Sequence, residues 1–209
     1  MDKNEFAELI DIVESNKQLM KVFEALDHIG LRNYYIGAGV VAQSVWNNIS
    51  GYPLDNGISD IDIVYFDDTH MKEQDEKKIK NEIENYLDEF PLWIDLKNQA
   101  RVHIWYEEKF GYAIKPYTSL EDAINSWPTT ATSLGLRRDK NGDWVIYAPF
   151  GVKDIFGMRI KANTRQITEE IYMSKVKKWT KKWPKLSFEP WPETIEPIIH
   201  NKLVRVKID

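Results

Sequence analysis

Ser59-Asp60-Ile61-Asp62-Ile63-Val64-Tyr65-Phe66 limits the possible folds more than any other stretch, because it sets two carboxylates two residues apart in a run otherwise suited to burial. β-branched and aromatic residues at this density read as a strand, whose side chains alternate between faces. Asp60 and Asp62 then share a face, with Cα atoms roughly 7 Å apart. Like charges so placed in a half-buried strand raise one another's pKa and cost stability unless a cation compensates, and Mg2+ or Mn2+ suits such a pair. The competing reading is a solvated acidic edge, the ordinary setting of exposed acids.

About twenty residues upstream, Tyr34-Tyr35-Ile36-Gly37-Ala38-Gly39-Val40-Val41-Ala42 reads as strand, tight turn and helix, with Val41, Val45, Trp46 and Ile49 at helical spacing up to Gly51. Glycines at a helix N-terminus let an anion approach free backbone N–H groups at the positive end of the helix dipole, so Gly37, Ala38 and Gly39 are candidate phosphate binders. A Gly-x-Gly pair also marks any turn where side chains would clash. Downstream, Leu92-Trp93-Ile94-Asp95-Leu96 is a second apolar run with one acid. Laid beside the Asp60 strand it aims Asp95 at the same metal; alternatively Asp95 ends its strand and caps the next helix.

Taken in order, an apolar-Gly-small turn, Asp-apolar-Asp on a strand and a lone acid on a later strand resemble the DNA polymerase beta-type nucleotidyltransferase superfamily. Asn98-Gln99-Ala100-Arg101-Val102-His103-Ile104-Trp105, Trp127-Pro128-Thr129-Thr130-Ala131-Thr132 and Ala148-Pro149-Phe150-Gly151 further resemble a bacterial nucleotidyltransferase-like family of unassigned substrate, over roughly residues 30 to 165. The resemblance implies an α/β (α+β) fold with a mixed sheet flanked by helices. It also implies Asp60, Asp62 and Asp95 as catalytic metal ligands for Mg2+ or Mn2+, with a nucleoside triphosphate (NTP) as donor substrate. One departure is that Ala38 follows Gly37 and lacks a hydroxyl to offer a phosphate. The long gap to Asp60 is similar to that of antibiotic-modifying members, in which a full helix intervenes.

Composition agrees with a small soluble enzyme. At 209 residues, 43% apolar with eight Trp, the chain can fill one sizeable core. With no Cys, thiolate sites and disulfides are excluded and oxygen ligands remain. The acidic start, Met1-Asp2-Lys3-Asn4-Glu5, has no apolar signal core, and no segment is long enough to span a membrane, so a cytoplasmic location is expected. A net charge of -5 argues against bulk binding to nucleic acid.

Helical stripes at Phe6, Leu9, Ile10, Val13 and at Leu19, Val22, Phe23, Leu26 predict two N-terminal helices over residues 1–30, packed on a core at 31–165, with a helix and a Pro/Trp-rich arm at 166–209, all one compact unit. Asp67-Asp68-Thr69 reads as the cap of a surface helix carrying Ile79, Ile83, Tyr86 and Leu87. Asn98 caps the next helix, which ends at Gly111 and turns Ala100, Ile104 and Trp105 inward. Arg101, one turn past the acids, is a candidate phosphate ligand or the partner of a structural acid; His103 reads as framework. Thr118-Ser119-Leu120-Glu121 reads as a capping box for a short helix stopped by Pro128, and the threonines after it as satisfying their own loop. Asn141-Gly142 between two apolar runs predicts a hairpin. A helix from Thr168 to about Lys182 carries a lysine run, six between Tyr172 and Lys185 with no acid, which reads as a solvated face or as a patch steering a nucleotide or RNA acceptor.

These readings lead to a metal-dependent transfer of nucleoside monophosphate from an NTP to a hydroxyl or amine acceptor, small molecule, protein or RNA. The alternative is a catalytically weak nucleotide- or partner-binding module on the same fold. No motif encodes the acceptor, the base or the oligomeric state.

Overall fold

The computed structural model of the chain describes residues 3–193 and 203–206. It opens with α1 (Lys3–Ser15) and α2 (Lys17–His28). Asn16 makes the corner: its side-chain oxygen accepts the N–H groups of Gln18 and Leu19, capping α2, while its amide donates to Ser44 Oγ. Both predicted apolar stripes are buried.

Strand β1 (Tyr34–Gly37) turns into α3 (Gly39–Ser50), and β2 (Asp60–Tyr65) follows. Helix α4 (Glu73–Leu87) crosses back to start β3 (Trp93–Asn98) parallel to β2, as a parallel pair requires. A single 3-10 turn (Gln99–Arg101), capped by Asn98, leads into α5 (Val102–Phe110), which Gly111 ends at φ +82°. Then come α6 (Leu120–Ile124), the hairpin β4 (Gly135–Arg138) and β5 (Trp144–Tyr147), α7 (Lys153–Phe156), β6 (Arg159–Ile160), α8 (Glu169–Lys182), β7 (Ser187–Phe188) and β8 (Leu203–Val206).

The main sheet has the order β3-β2-β1-β4-β5-β8, with β2 and β3 parallel and the other pairs antiparallel; β6 and β7 form a separate parallel pair. Strand periodicity divides the sheet's residues between two faces. Ile36, Ile61, Ile63, Ile94, Leu96 and Ile146 enter the main core, shared with α1, α2 and α3. Tyr35, Val64 and Tyr147 point the other way and meet Leu120 and Ile124 of α6 in a smaller cluster. The carboxylates of β2 and β3 alternate with Ile61, Ile63, Ile94 and Leu96, so they belong to this second face. C-terminally, α8 buries Tyr172, Val176 and Trp179, and Trp46 of α3 meets both Trp179 and Trp183 edge-on at 5.5 Å. Trp183 Nε1 donates to Asn47 Oδ1 at 2.7 Å, tying the end of α8 to α3.

Three local expectations are corrected. Asp67 does not cap α4; its carboxylate accepts the N–H groups of Thr69 and His70 in a local turn, and the helix begins at Glu73. Ile104 is 58% exposed, because the intervening 3-10 turn shifts the phase of α5 and brings Val102 and Tyr106 inward. The box at α6 is formed by Ser119, which accepts the Asp122 N–H, and by Asp122, which accepts the Thr118 N–H. Most of the Pro-containing arm beyond Glu193 lies outside the described residues. No described helix is long and apolar enough to cross a membrane.

Candidate functional site

Parallel pairing of β2 with β3 sets Asp62 directly opposite Asp95, and Asp60 opposite Trp93. Adjacent strands lie about 4.8 Å apart, so the Asp62 and Asp95 backbones are neighbours and Asp60 follows one pleat away on the same face. Asp95 is mid-strand, which removes the helix-cap alternative. Burial, then the charges of Asp60 and Asp95, push the Asp62 carboxyl up to about 7, against the pull of Lys175 and of the Gly39 N–H that it accepts. Ser59 Oγ donates to Asp60 Oδ1. Lys97 Nζ lies 2.9 Å from Asp95 Oδ1.

The Gly37-Ala38-Gly39 turn borders these acids, since Gly37 pairs with Asp62 across β1 and β2. Its glycine is needed for packing: a Cβ on Gly37 would stand 2.3 Å from the Leu134 carbonyl oxygen and 2.9 Å from the Trp127 ring. Ala38 holds φ 55° and ψ −129°, a conformation that suits glycine, and its N–H donates to Leu134 O at 3.1 Å. No side chain caps α3 from the Ala38 position. The turn thus joins the α3 N-terminus to Asp62, with the edge of the Trp127 ring close against Gly37.

A cleft of about 700 Å3 opens from Asp62 between β3, α5, the 126–128 loop and α8. Lys97, Lys109, Lys175 and Lys178 line it, making it basic within an acidic chain. Among the described residues, Lys109, Lys175 and Lys178 have no carboxylate within ion-pair distance. Burial holds the Lys175 pKa below the ordinary lysine value, with Lys178 and Lys109 adding to the effect and the charges of Asp62 and Asp60 opposing it, so Lys175 and the acids feel one another across the cleft. Trp105, Trp127, Tyr106 and Tyr117 supply aromatic walls, and Ser126 and Ser174 hydroxyls. Phosphate suits the lysines and a flat base suits the rings. Helical spacing sets Lys175 near one face with Ile171, Val176 and Trp179, but its place beside the acids was hidden in sequence, because only the docking of α8 on Trp46 shows which lysines reach the cleft.

Arg101 is corrected as a phosphate ligand. It is buried, its Nε donates to the Met71 carbonyl at 2.8 Å and its NH1 lies 3.4 Å from Glu76 Oε2, so it anchors the start of α4. This is the structural-acid alternative. Thr129, Thr130 and Thr132 are buried and bond within the framework, Thr130 to Asp154 and Thr129 to Thr132. His103 does not line the cleft.

Among the described residues no three His, Cys, Asp or Glu side chains form a ready metal cage. Mg2+ seldom uses one; it is commonly held by one or two carboxylates together with substrate phosphates and water. Asp62 beside Asp95, with Asp60 on the same face and their repulsion only partly offset by Lys175, fits that mode of binding. The donors are all oxygen, which suits Mg2+ or Mn2+.

A family model described as nucleotidyltransferase matches residues 24–188. Among solved structures, the chain is similar to one described in the words "The NMR structure of the protein reveals a CCA-adding enzyme head domain", at 24% identity and a TM-score of 0.71, over 88% of this chain and 96% of that one. At that identity the likeness speaks for the fold. No curated protein matches the sequence at a significant level.

Proposed function

The chain belongs to the nucleotidyltransferase family, and from that premise we propose that it transfers a nucleoside monophosphate from an NTP to a hydroxyl or amine acceptor in a reaction that needs Mg2+ or Mn2+. The observation that carries this reading is the in-register pair Asp62 and Asp95, with Asp60 on the same strand face, where Asp62 opens onto a cleft lined by lysines and aromatic rings. Two rigid parallel strands hold the carboxylates, so little reorganisation is needed when substrate arrives. Lys175 and Lys178, from a helix fixed to α3 through Trp179 and Trp183, bind phosphate oxygens. Trp105 and Trp127 offer faces for the base. The α3 N-terminus, with Ala38 and Gly39, directs its dipole toward the same anion. A divalent ion held by Asp60, Asp62 and Asp95 would neutralise charge on the attacking oxygen and on the departing pyrophosphate. A cytoplasmic setting suits an enzyme that draws on NTPs.

A thermal-shift panel of the four ribonucleoside triphosphates, each with Mg2+, Mn2+ or EDTA, tests the reading. At a hundred times its dissociation constant, the donor should raise the melting temperature by roughly 5 to 10 °C. The rise should need metal and vanish in Asp60→Ala/Asp62→Ala. Metal-independent rises that survive the double substitution would favour the second reading, a nucleotide-binding module. The observation on its side is that Asp62 already accepts the Gly39 N–H, leaving one fewer amide for phosphate.

A further inference from the structure

Asp95 already has a partner in this structure. Lys97 lies two residues along β3 on the same face, its Nζ 2.9 Å from Asp95 Oδ1, and the two side chains are 38% and 36% exposed. An ion pair this open to solvent is weak and readily exchanged. Lys97 also lines the cleft with Asp62, whereas Asp95 does not, so the lysine that Asp95 holds borders the space where phosphate would lie. A lysine is a compact charge on a flexible stem and can move from one anion to another without disturbing the strand beneath.

We propose that Lys97 exchanges partners during binding: in the empty cleft it holds Asp95, and with a triphosphate present it moves to the phosphate oxygens and frees Asp95 to join Asp62 at the metal. Lys97 is then a positioning residue for the metal site and a ligand of the donor. The inference rests on the nucleotidyl-transfer reading and adds to it an order of events, because the full carboxylate set becomes available only when the donor is in place. By linkage, donor and metal strengthen each other's binding by the same factor.

Calorimetric titration of MnCl2 into the protein without nucleotide tests the exchange. Lys97→Met should bind Mn2+ on the order of tenfold more tightly than wild type. That gain should disappear in Lys97→Met/Asp95→Asn, and Lys178→Met, which removes a cleft lysine not paired with Asp95, should not reproduce it. Lys97→Arg, which keeps the charge, should return Mn2+ affinity to the wild-type level. In a parallel titration with inorganic tripolyphosphate in EDTA, Lys97→Met should bind more weakly than wild type. Unchanged Mn2+ affinity in Lys97→Met, or a gain that survives Asp95→Asn, overturns the exchange. Asp62→Asn separates the two levels of the account. If it loses Mn2+ while the Lys97 variants fail as described, only the exchange falls; if it binds Mn2+ as wild type does, the metal site beneath falls as well.

Discussion

Asp62 concentrates the chemistry of this chain in one carboxyl. Its ordinary value of 3.8 applies to the unfolded chain, whereas burial and then the charges of Asp60 and Asp95 raise it to about 7 in the fold. Between those values the folded state holds the proton more tightly than the unfolded state does. The stability conferred by protonated Asp62 is therefore complete below about pH 4 and is lost as pH rises through 7. A shift of this size corresponds to at most about 4 kcal/mol. Asp62→Asn keeps an oxygen to accept the Gly39 N–H and removes the charge. Without metal it should be more stable than wild type by about 2 to 4 kcal/mol at pH 8 and equal to it near pH 4, by urea unfolding at each pH. Equal stability at pH 8 would contradict the assignment. Ala38 is the other residue under tension. At φ 55° and ψ −129° it should gain from Ala38→Gly, which we expect to raise stability by about 1 kcal/mol, read as a higher urea midpoint.

At the scale of elements, two residues that a motif reading assigns to substrate serve the framework. Gly37→Ala would force a Cβ to within 2.3 Å of the Leu134 carbonyl, so it should cost about 1 to 3 kcal/mol in the absence of any nucleotide. Arg101→Ala removes the hydrogen bond to the Met71 carbonyl and the counter-charge of Glu76, which keeps only the Asn98 N–H, and should destabilise by about 2 kcal/mol, while the nucleotide-dependent thermal shift of the remaining folded protein persists. A larger effect on nucleotide binding than on stability would restore Arg101 to the site. These cases show where local sequence suffices. Period-two alternation placed Asp60 and Asp62 on one face, and Asn141-Gly142 located its hairpin, because both depend on neighbours in the chain. Gly37 and Arg101 were ambiguous because their roles depend on Leu134, Trp127 and Glu76, which no local pattern names. The inward turn assigned to Ile104 failed for a similar reason, since one 3-10 turn resets the phase of the helix after it.

At the scale of the molecule, the site exists because α8 is fixed against α3. The Trp46, Trp179 and Trp183 contacts and the Trp183–Asn47 hydrogen bond decide that Lys175 and Lys178 face the cleft. The mixed sheet was expected from the family resemblance and its acidic corner from strand alternation, whereas the cleft was not legible, because its lining is drawn from segments as far apart in the chain as Asp62 and Lys178. An acidic chain with a basic cleft should bind its donor in a salt-dependent way, while the aromatic walls contribute a component that salt does not screen. The central claim is that Asp60, Asp62 and Asp95 hold the metal of a nucleotide seated in this cleft. Diffraction at the manganese absorption edge, from crystals grown with MnCl2 and a nonhydrolysable α,β-methylene NTP, tests it most directly. The account predicts an anomalous peak between these carboxylates and the α-phosphate; nucleotide in the cleft with manganese absent from all three would contradict it.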